Sequence, residues 1–350
     1  MYPRVVLDLE KFKHNVSNIL ELCQRNQQTL MVVTKVFCAE QPLIDVLNDM
    51  AIDFIADSRI LNLKHMVTNH KKVLLRLPQL CEVEAVIKYV DISLNSELKT
   101  IRALNNTAKE LDTTHGIILM IDLGDLREGI FNKDELLETV KTIESLTNIK
   151  LEGIGTNLTC YGGVIPTPKT LDKLVQFKIE IEAMIGRELN IISGGNSSNV
   201  KLLEKGLIPK GINNARMGES IVLGRETAYG DLIESLYDDV FMLETSIIEL
   251  KTKPSAPIGE LGMNAFGEKV TFEDVGDIKR AICAIGKQDV NHKNLIPMND
   301  LTILGSSSDH LLLDVSNLND LHVGDIIQFK LTYGSVLSLM TSRYVEKVYV

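Results

Sequence analysis

Leu30-Met31-Val32-Val33-Thr34-Lys35-Val36 is a short, mostly apolar and β-branched run with a lysine near its end. It reads as a strand, and the same texture returns seven times: Asp53–Ala56, Val73–Leu77, Asp91–Leu94, Gly116–Leu123, Leu151–Gly155, Asn190–Ser193 and Asn214–Met217. Most of the intervals carry helical periodicity, as in Lys133–Leu146, Thr170–Ile185 and Asn196–Lys205. Alternating β and α units imply a parallel sheet, and eight of them imply a closed (β/α)8 barrel. The alternative is an open doubly wound sheet, but its Gly-x-Gly-x-x-Gly fingerprint is missing after the first strands. An opening strand, Val5–Leu9, precedes the eight. So does a helix whose apolar face is Leu9, Phe12, Val16, Ile19, Leu20 and Cys23.

From about Asp239 the texture changes. Phe241–Lys251, Lys279–Ile285, Leu301–Leu304, His310–Val315, Ile326–Leu331 and Tyr344–Val350 read as short strands separated by Gly, Pro, Asn and Asp. With no helical periodicity among them, they predict a small all-β domain. The expected division is a barrel over 1–230 and a C-terminal β-domain over 231–350, with the linker between Leu223 and Asp239. The chain has 350 residues, and a single core stops growing at roughly 250–300, so this partition is natural.

Against 37 basic side chains stand 47 acidic ones, a formal net charge of −10, which argues against a partner of nucleic acid or anionic membrane. No apolar run reaches the length of a membrane span, and acids within the first ten residues argue against a secretory signal. The five cysteines are scattered, without a C-x-x-C pair, which fits reduced thiols and a cytoplasmic protein. The seven histidines form no ligand pair at helical or strand spacing, so no metal site is expected.

In a barrel, function gathers where strands end and their loops begin. Lys35 ends the first barrel strand among apolar neighbours. Burial disfavours its charged form and suits it to a Schiff base with an aldehyde; the plainer alternative is a rim lysine that snorkels to water. The seventh strand runs into Ser193-Gly194-Gly195-Asn196-Ser197-Ser198-Asn199, and the eighth into Asn213-Asn214-Ala215-Arg216-Met217-Gly218-Glu219-Ser220. Small residues, hydroxyls and free N–H groups there suit an anion, and barrels often bind phosphate after strands seven and eight. Either loop alone reads equally well as an ordinary N-cap and turn. After the fifth strand comes Asp122-Leu123-Gly124-Asp125-Leu126-Arg127-Glu128-Gly129. By itself this is a turn whose Arg127 pairs with Asp125 or Glu128 on the surface.

A lysine, two phosphate loops and two rim arginines together suggest pyridoxal phosphate. Over nearly its whole length the chain resembles the alanine-racemase family, the fold type III pyridoxal-phosphate enzymes with a barrel followed by a β-domain. Val33-Thr34-Lys35 is similar to the family's lysine motif, which implies that Lys35 holds the cofactor. Asp122-x-Gly124-x-x-Arg127-x-Gly129 resembles its D-x-G-x-x-R-x-G, whose arginine reaches the phenolic oxygen and the substrate carboxylate. Asn196-Ser197 resembles its N-S pair, whose serine binds phosphate. Arg216-x-Gly218 resembles its R-x-G, which implies Arg216 at the pyridine nitrogen and the amides of Gly218 and Glu219 at the phosphate. Gly305-x-x-x-Asp309 resembles its G-x-x-M-D, and Tyr333 its late tyrosine near the phosphate.

The departures narrow the resemblance. Val36-Phe37-Cys38 replaces the usual tyrosine and glycines. Met120 replaces a lysine that is carbamylated in some relatives, and Thr156-Asn157 stands for a T-H pair, which puts Asn157 at the cofactor. The tyrosine that relatives donate across a dimer as second base has no clear counterpart in 257–266. The stretches Gly155–Gly163 and Ser306-Ser307-Ser308-Asp309-His310 look like the ornithine-racemase-like branch.

The implied activity is racemisation of an amino acid, ornithine first and lysine second, with alanine or serine as the alternative. Lys35 serves one face of the α-carbon. For the other, Tyr161, Cys160, His310 and Asp309 are candidates, with the phenol of Tyr161 best suited. Arg127, Ser308 and Asp309 are expected at the substrate. For a cationic side chain, Asp309, Asp289 and Glu219 are the carboxylates on loops that could face it. An arginine keeps its proton at physiological pH, so a ring nitrogen facing Arg216 stays unprotonated, which disfavours transamination. The resemblance also implies a homodimer, the commonest oligomer. A basic-amino-acid decarboxylase shares the architecture, but its Glu-Pro-Gly-Arg loop is absent. A single-domain pyridoxal-phosphate homeostasis protein would lack the last ~110–120 residues. A dehydratase or aldolase would want a metal, and a sugar hydrolase would leave the phosphate loops unexplained.

Overall fold

The computed structural model describes residues 1–350, and it divides into two compact units, Leu9–Tyr237 and Met1–Asp8 with Asp238–Val350. The first strand, β1 (Arg4–Leu7), belongs to the smaller unit. The larger unit is a closed barrel of eight strands: β2 (Thr29–Val33), β3 (Phe54–Asp57), β4 (Lys71–Leu74), β5 (Ile92–Asn95), β6 (His115–Met120), β7 (Ile149–Gly155), β8 (Ile191–Ser193) and β9 (Asn214–Met217). Each pairs in parallel with the next, and β9 returns to β2 with Val32 opposite Met217. Every run expected to be a barrel strand overlaps one. The ends differ by up to three residues: Leu30–Val36 stops pairing at Val33, where the chain turns out of the ladder, while β7 begins two residues before its run.

Met31, Val33, Ala56, Val73, Ile92, Leu94, Ile118, Met120 and Ile191 pack together as one buried cluster of the barrel. Gly153 allows β7 and β8 to close, since a Cβ there would lie 1.8 Å from the Ile191 carbonyl oxygen. Around the barrel the helices bury the faces their periodicity announces. The helix Leu9–Arg25 buries Phe12, Val16, Ile19 and Cys23 together with one polar residue, Asn15. The Asn15 amide donates to the carbonyls of Ile221 (2.9 Å) and Tyr237 (2.8 Å) and accepts from the Tyr237 N–H (2.8 Å), which ties the unit's first helix to its last residues.

The smaller unit is built on β10 (Phe241–Pro254), β11 (Asp277–Cys283), β12 (Leu295–Pro297), β13 (Thr302–Ser306), β14 (Leu311–Asp314), β15 (Ile326–Leu331) and β16 (Glu346–Tyr349). The path is β12-β15-β10-β11-β14-β13, largely antiparallel, and β1 lies antiparallel to β10 and parallel to β16. Two features differ from the sequence reading. The opening strand precedes the barrel strands in the chain but, unlike the expected division at 1–230, pairs in this sheet, whose face buries its alternating Val5 and Leu7. The unit is also not all-β. Tyr333–Thr341 is a helix, started by a reciprocal cap between Thr332 and Ser335 and held by buried Val336, Leu339 and Met340. Nine residues were too few for the periodicity to stand out. No helix of the chain is long and apolar enough to cross a membrane.

One of the buried titratable groups of the larger unit is a histidine. His115 opens β6, its Nε2 2.8 Å from Ser93 Oγ, and Asn95 Nδ2 donates to the same hydroxyl (2.9 Å). Burial pushes the imidazole down to about 4 from an ordinary 6.5. Its contribution to stability is therefore present above pH 6.5 and lost as pH falls towards 4, by at most about 3 kcal/mol. The unfolding midpoint should drop between pH 6.5 and 4, and less steeply in a His115→Gln variant. Equal slopes for the two proteins in denaturant titrations would remove His115 from this role.

Candidate active site

Side chains at the C-terminal ends of the barrel strands build the site. After β2, Thr34 turns the chain: its N–H donates to the Ala56 carbonyl (2.9 Å) and its Oγ1 to Asp57 Oδ2 (2.7 Å). A single 3-10 turn, Lys35–Phe37, follows, with Val36 and Phe37 buried beneath it. Lys35 is left half-buried at the rim. Burial lowers its pKa, and the nearby Arg127 guanidinium lowers it further. Asp57, which supports the turn, is completely buried, and burial pushes its carboxyl up against hydrogen bonds from Thr34, the Arg59 N–H and Asn62.

Opposite runs a chain of charge-assisted bonds. Arg216 on β9 is buried and donates to Ser193 Oγ, to the Thr156 carbonyl (2.6 Å) and to Asn157 Oδ1 (2.6 Å). Ser193 in turn donates to Asn214 Oδ1 (2.6 Å). The Asn157 amide donates to Glu128, and Arg127 grips the same carboxylate through Nε and through Nη2 (2.6 Å). Burial pushes the Arg216 guanidinium down to about 10, with Glu128 acting the other way. Burial alone would raise the Glu128 carboxyl, but the bonds from Arg127 and Asn157 and the two guanidinium charges hold it below its usual range.

The sequence suggested a surface pair for Arg127. The structure corrects half of this: the partner is Glu128, whose side chain is only 14% exposed. Asp125 is not that partner. It is buried and accepts the backbone N–H groups of Thr159 (3.0 Å), Cys160 (3.1 Å), Tyr161 (2.8 Å) and Val164 (3.0 Å), so it shapes the loop after β7. These two carboxylates are the residues that sequence reasoning missed. The signal available was two acids beside an arginine in a glycine-bounded loop.

The last two loops meet. Asn196 caps its turn by accepting from the Ser198 N–H (2.9 Å), and its amide donates to the Leu158 carbonyl (2.9 Å) and to Cys160 Sγ (3.2 Å). The Gly218 and Ser220 N–H groups converge on Ser197 Oγ at 3.4 and 3.2 Å. Gly218 lies against β2, since a Cβ on it would stand 3.0 Å from Val33 Cβ. Ser198 Oγ and Asn199 Oδ1 after β8, and Thr156 Oγ1 after β7, are buried without a hydrogen-bond partner. Such orphans cost about 1–3 kcal/mol each. Unused hydroxyls, converging N–H groups, two guanidiniums and a lysine are a donor set that fits an anionic, phosphate-bearing cofactor.

The barrel thus assembles Lys35, Arg127, Asn157, Asn196, Ser197, Arg216, Gly218 and Glu219 along one rim. Tyr161 stands on the same side with its ring 77% exposed and its phenol free of hydrogen bonds. Tyr333, Ser308 and Asp309 belong to the smaller unit. Tyr333 begins the helix there, and Ser308 Oγ donates to Asp309 Oδ2 (2.6 Å) in the exposed loop between β13 and β14. Replacing Asp125 by Ala should strip four N–H groups of their acceptor and loosen residues 159–164 by about 2–4 kcal/mol. Amide hydrogen exchange at Thr159, Cys160, Tyr161 and Val164 checks this; unchanged protection would show that the loop holds itself.

Comparison with known proteins agrees with this geometry. Residues 7–226 match the family model for the alanine racemase N-terminal domain. Over 350 residues the chain is 50% identical to an ornithine racemase of Acetoanaerobium sticklandii, covering 99% of each, and it is 38% identical to a lysine racemase of Thermotoga maritima, covering 100% of this chain and 99% of the other. Among solved structures, an alanine racemase of Clostridium difficile 630 superposes with a TM-score of 0.74 at 18% identity, covering 99% of this chain and 95% of that one. An alanine racemase from Bartonella henselae with covalently bound pyridoxal phosphate gives 0.75 at 17%, covering 99% of each. A barrel of eight parallel strands, a lysine at the end of its first strand and a match spanning the whole barrel place the chain in the alanine racemase family.

Proposed function

We propose that this protein is a pyridoxal-phosphate-dependent amino-acid racemase whose substrate is ornithine, with lysine second. The observation that carries this reading is the 50% identity, end to end, with an ornithine racemase. The rim supports it. Lys35 would hold the cofactor, Ser197 and the Gly218 and Glu219 amides its phosphate, Arg216 its ring nitrogen with Asn157 beside it, and Arg127 its phenolic oxygen. Asn196 would shape the phosphate loop, and Tyr333 is proposed as a phosphate ligand on the family resemblance. When bound, pyridoxal phosphate supplies the electron sink that turns the substrate α-carbon into a carbon acid.

The chain's own residues do the rest. Lys35, with a pKa lowered by burial and by Arg127, is neutral at a lower pH than an exposed lysine and so can accept a proton at Nζ. Arg127, held rigid by Glu128, presents its remaining N–H groups to the substrate carboxylate. Tyr161, on the loop that Asp125 holds, is the second acid–base group, and Ser308 and Asp309 are proposed as substrate contacts on the family resemblance. A homodimer is part of this reading. Between β10 and β11, Ile258, Met263 and Val275 are 89%, 68% and 63% exposed, apolar surface of the kind a partner covers. The five free cysteines support a cytoplasmic setting.

The decisive measurement is catalytic efficiency for ornithine, lysine, alanine and serine with the reconstituted enzyme. Ornithine should lead, and alanine equal to or above it would refute the basic-substrate reading. Sedimentation at the assay dilution should show a dimer; a fully active monomer would exclude one. The acid–base assignment predicts a split in solvent deuterium exchange. Tyr161→Phe should still exchange the α-proton of the enantiomer that Lys35 serves, while losing exchange of the other by about 100-fold or more. Equal losses for both enantiomers would take Tyr161 out of the mechanism.

A further inference from the structure

We infer that the Glu219 side chain recognises the distal ammonium of the substrate, an inference that rests on the basic-substrate reading above. A cationic side chain needs a buried acceptor, because an unpaired ammonium is expensive to remove from water. Most carboxylates near the rim are already engaged. Asp57 is taken by Thr34, the Arg59 N–H and Asn62, and Asp125 by four backbone N–H groups. Asp122 accepts from the N–H groups of Gly124 and Leu126, and Glu128 from Arg127 and Asn157. Glu128 also lies within reach of two guanidiniums, which would repel a further cation. In the smaller unit, Asp289 accepts from Ser342 Oγ (2.6 Å) and Asp309 from Ser308 Oγ (2.6 Å).

Glu219 is different: it is half-buried, yet its carboxylate accepts no hydrogen bond. Its position follows from the barrel register. Val32 pairs with Met217, Gly218 lies against Val33, and the next residue, Glu219, stands beside the end of β2 that carries Lys35. Burial pushes the Glu219 carboxyl up, and the cations acting against that are Lys35 first and Arg225 second. Lys35 Nζ must come within about 3 Å of the proton it moves, which fixes the α-carbon close to it. The three methylenes of ornithine carry its distal nitrogen roughly 5 Å from that carbon, so a carboxylate neighbouring Lys35 is within the arm's reach. The backbone N–H of Glu219 remains available to an anion, while its side chain addresses a cation.

The test compares ornithine with norvaline, which is ornithine without its distal amine, in the cofactor-loaded wild type and in Glu219→Gln, Glu219→Asp and Asp309→Asn. Two readouts are taken: kcat/KM, and calorimetric dissociation constants for the racemic amino acids. The ratio of the two substrates cancels any loss common to both. The wild type should prefer ornithine, and Glu219→Gln should cut that preference by about 10- to 100-fold in both readouts, with partial recovery in Glu219→Asp. A preference that survives Glu219→Gln overturns the inference and leaves the basic-substrate reading standing. A preference that collapses in Asp309→Asn instead assigns recognition to the smaller unit and also overturns it. A wild type with no preference for ornithine refutes the underlying reading itself. A variant that melts early or loses the cofactor's absorbance is replaced by the binding ratio of Glu219→Asp, which must then lie below wild type for the inference to hold.

Discussion

A guanidinium taken out of water needs a counter-charge, and at this barrel rim one carboxylate serves both the buried Arg216 and the more exposed Arg127. Glu128 holds Arg127 directly and reaches Arg216 through the amide of Asn157. Because an ionised carboxylate only accepts, the Asn157 amide must turn its NH2 to Glu128 and its oxygen to Arg216. That orientation aligns the remaining donors, with Arg216 braced on Ser193 and the Thr156 carbonyl. Glu128, an unspecified position of the loop motif, thus links both arginines of the rim.

The same electrostatics governs Lys35. A lysine among apolar residues beside an arginine loses part of its preference for the charged state, and Asp57 and Glu128 lie on the restoring side. Thr34 and Asp57 fix the turn that exposes Lys35, while buried Val36 and Phe37 anchor it from below. Position and protonation are thus set by different neighbours.

What could be read from the sequence follows from how local each signal is. Barrel strands announce themselves as apolar runs because both faces are buried, and the amphipathic helix Leu9–Arg25 shows its face at regular spacing. Lys35, Arg127, Ser197 and Arg216 were legible because they terminate strands or open loops in recognisable motifs. Other features depend on partners far along the chain. β1 is an ordinary strand until β10 and β16 are known to flank it. The helix Tyr333–Thr341 is short and uncharged, and its start depends on a cap between Thr332 and Ser335. Asp125 and Glu128 look like solvated loop acids; only the folded loops show that one gathers backbone N–H groups and the other gathers guanidiniums.

The pairing of β1 with β10 and β16 makes the barrel an insertion within the sheet unit: the chain starts in one body, completes another, and returns. The ladder between Arg4–Leu7 and Glu346–Tyr349 joins residues more than 330 positions apart. Contacts of that separation form late, because the loop they close is costly in entropy until the intervening residues have condensed. During synthesis the barrel sequence emerges whole while β1 still lacks both neighbours, so an apolar strand edge stays unpaired until the last segment is made. The order of folding is thereby written into the topology, barrel first and sheet last.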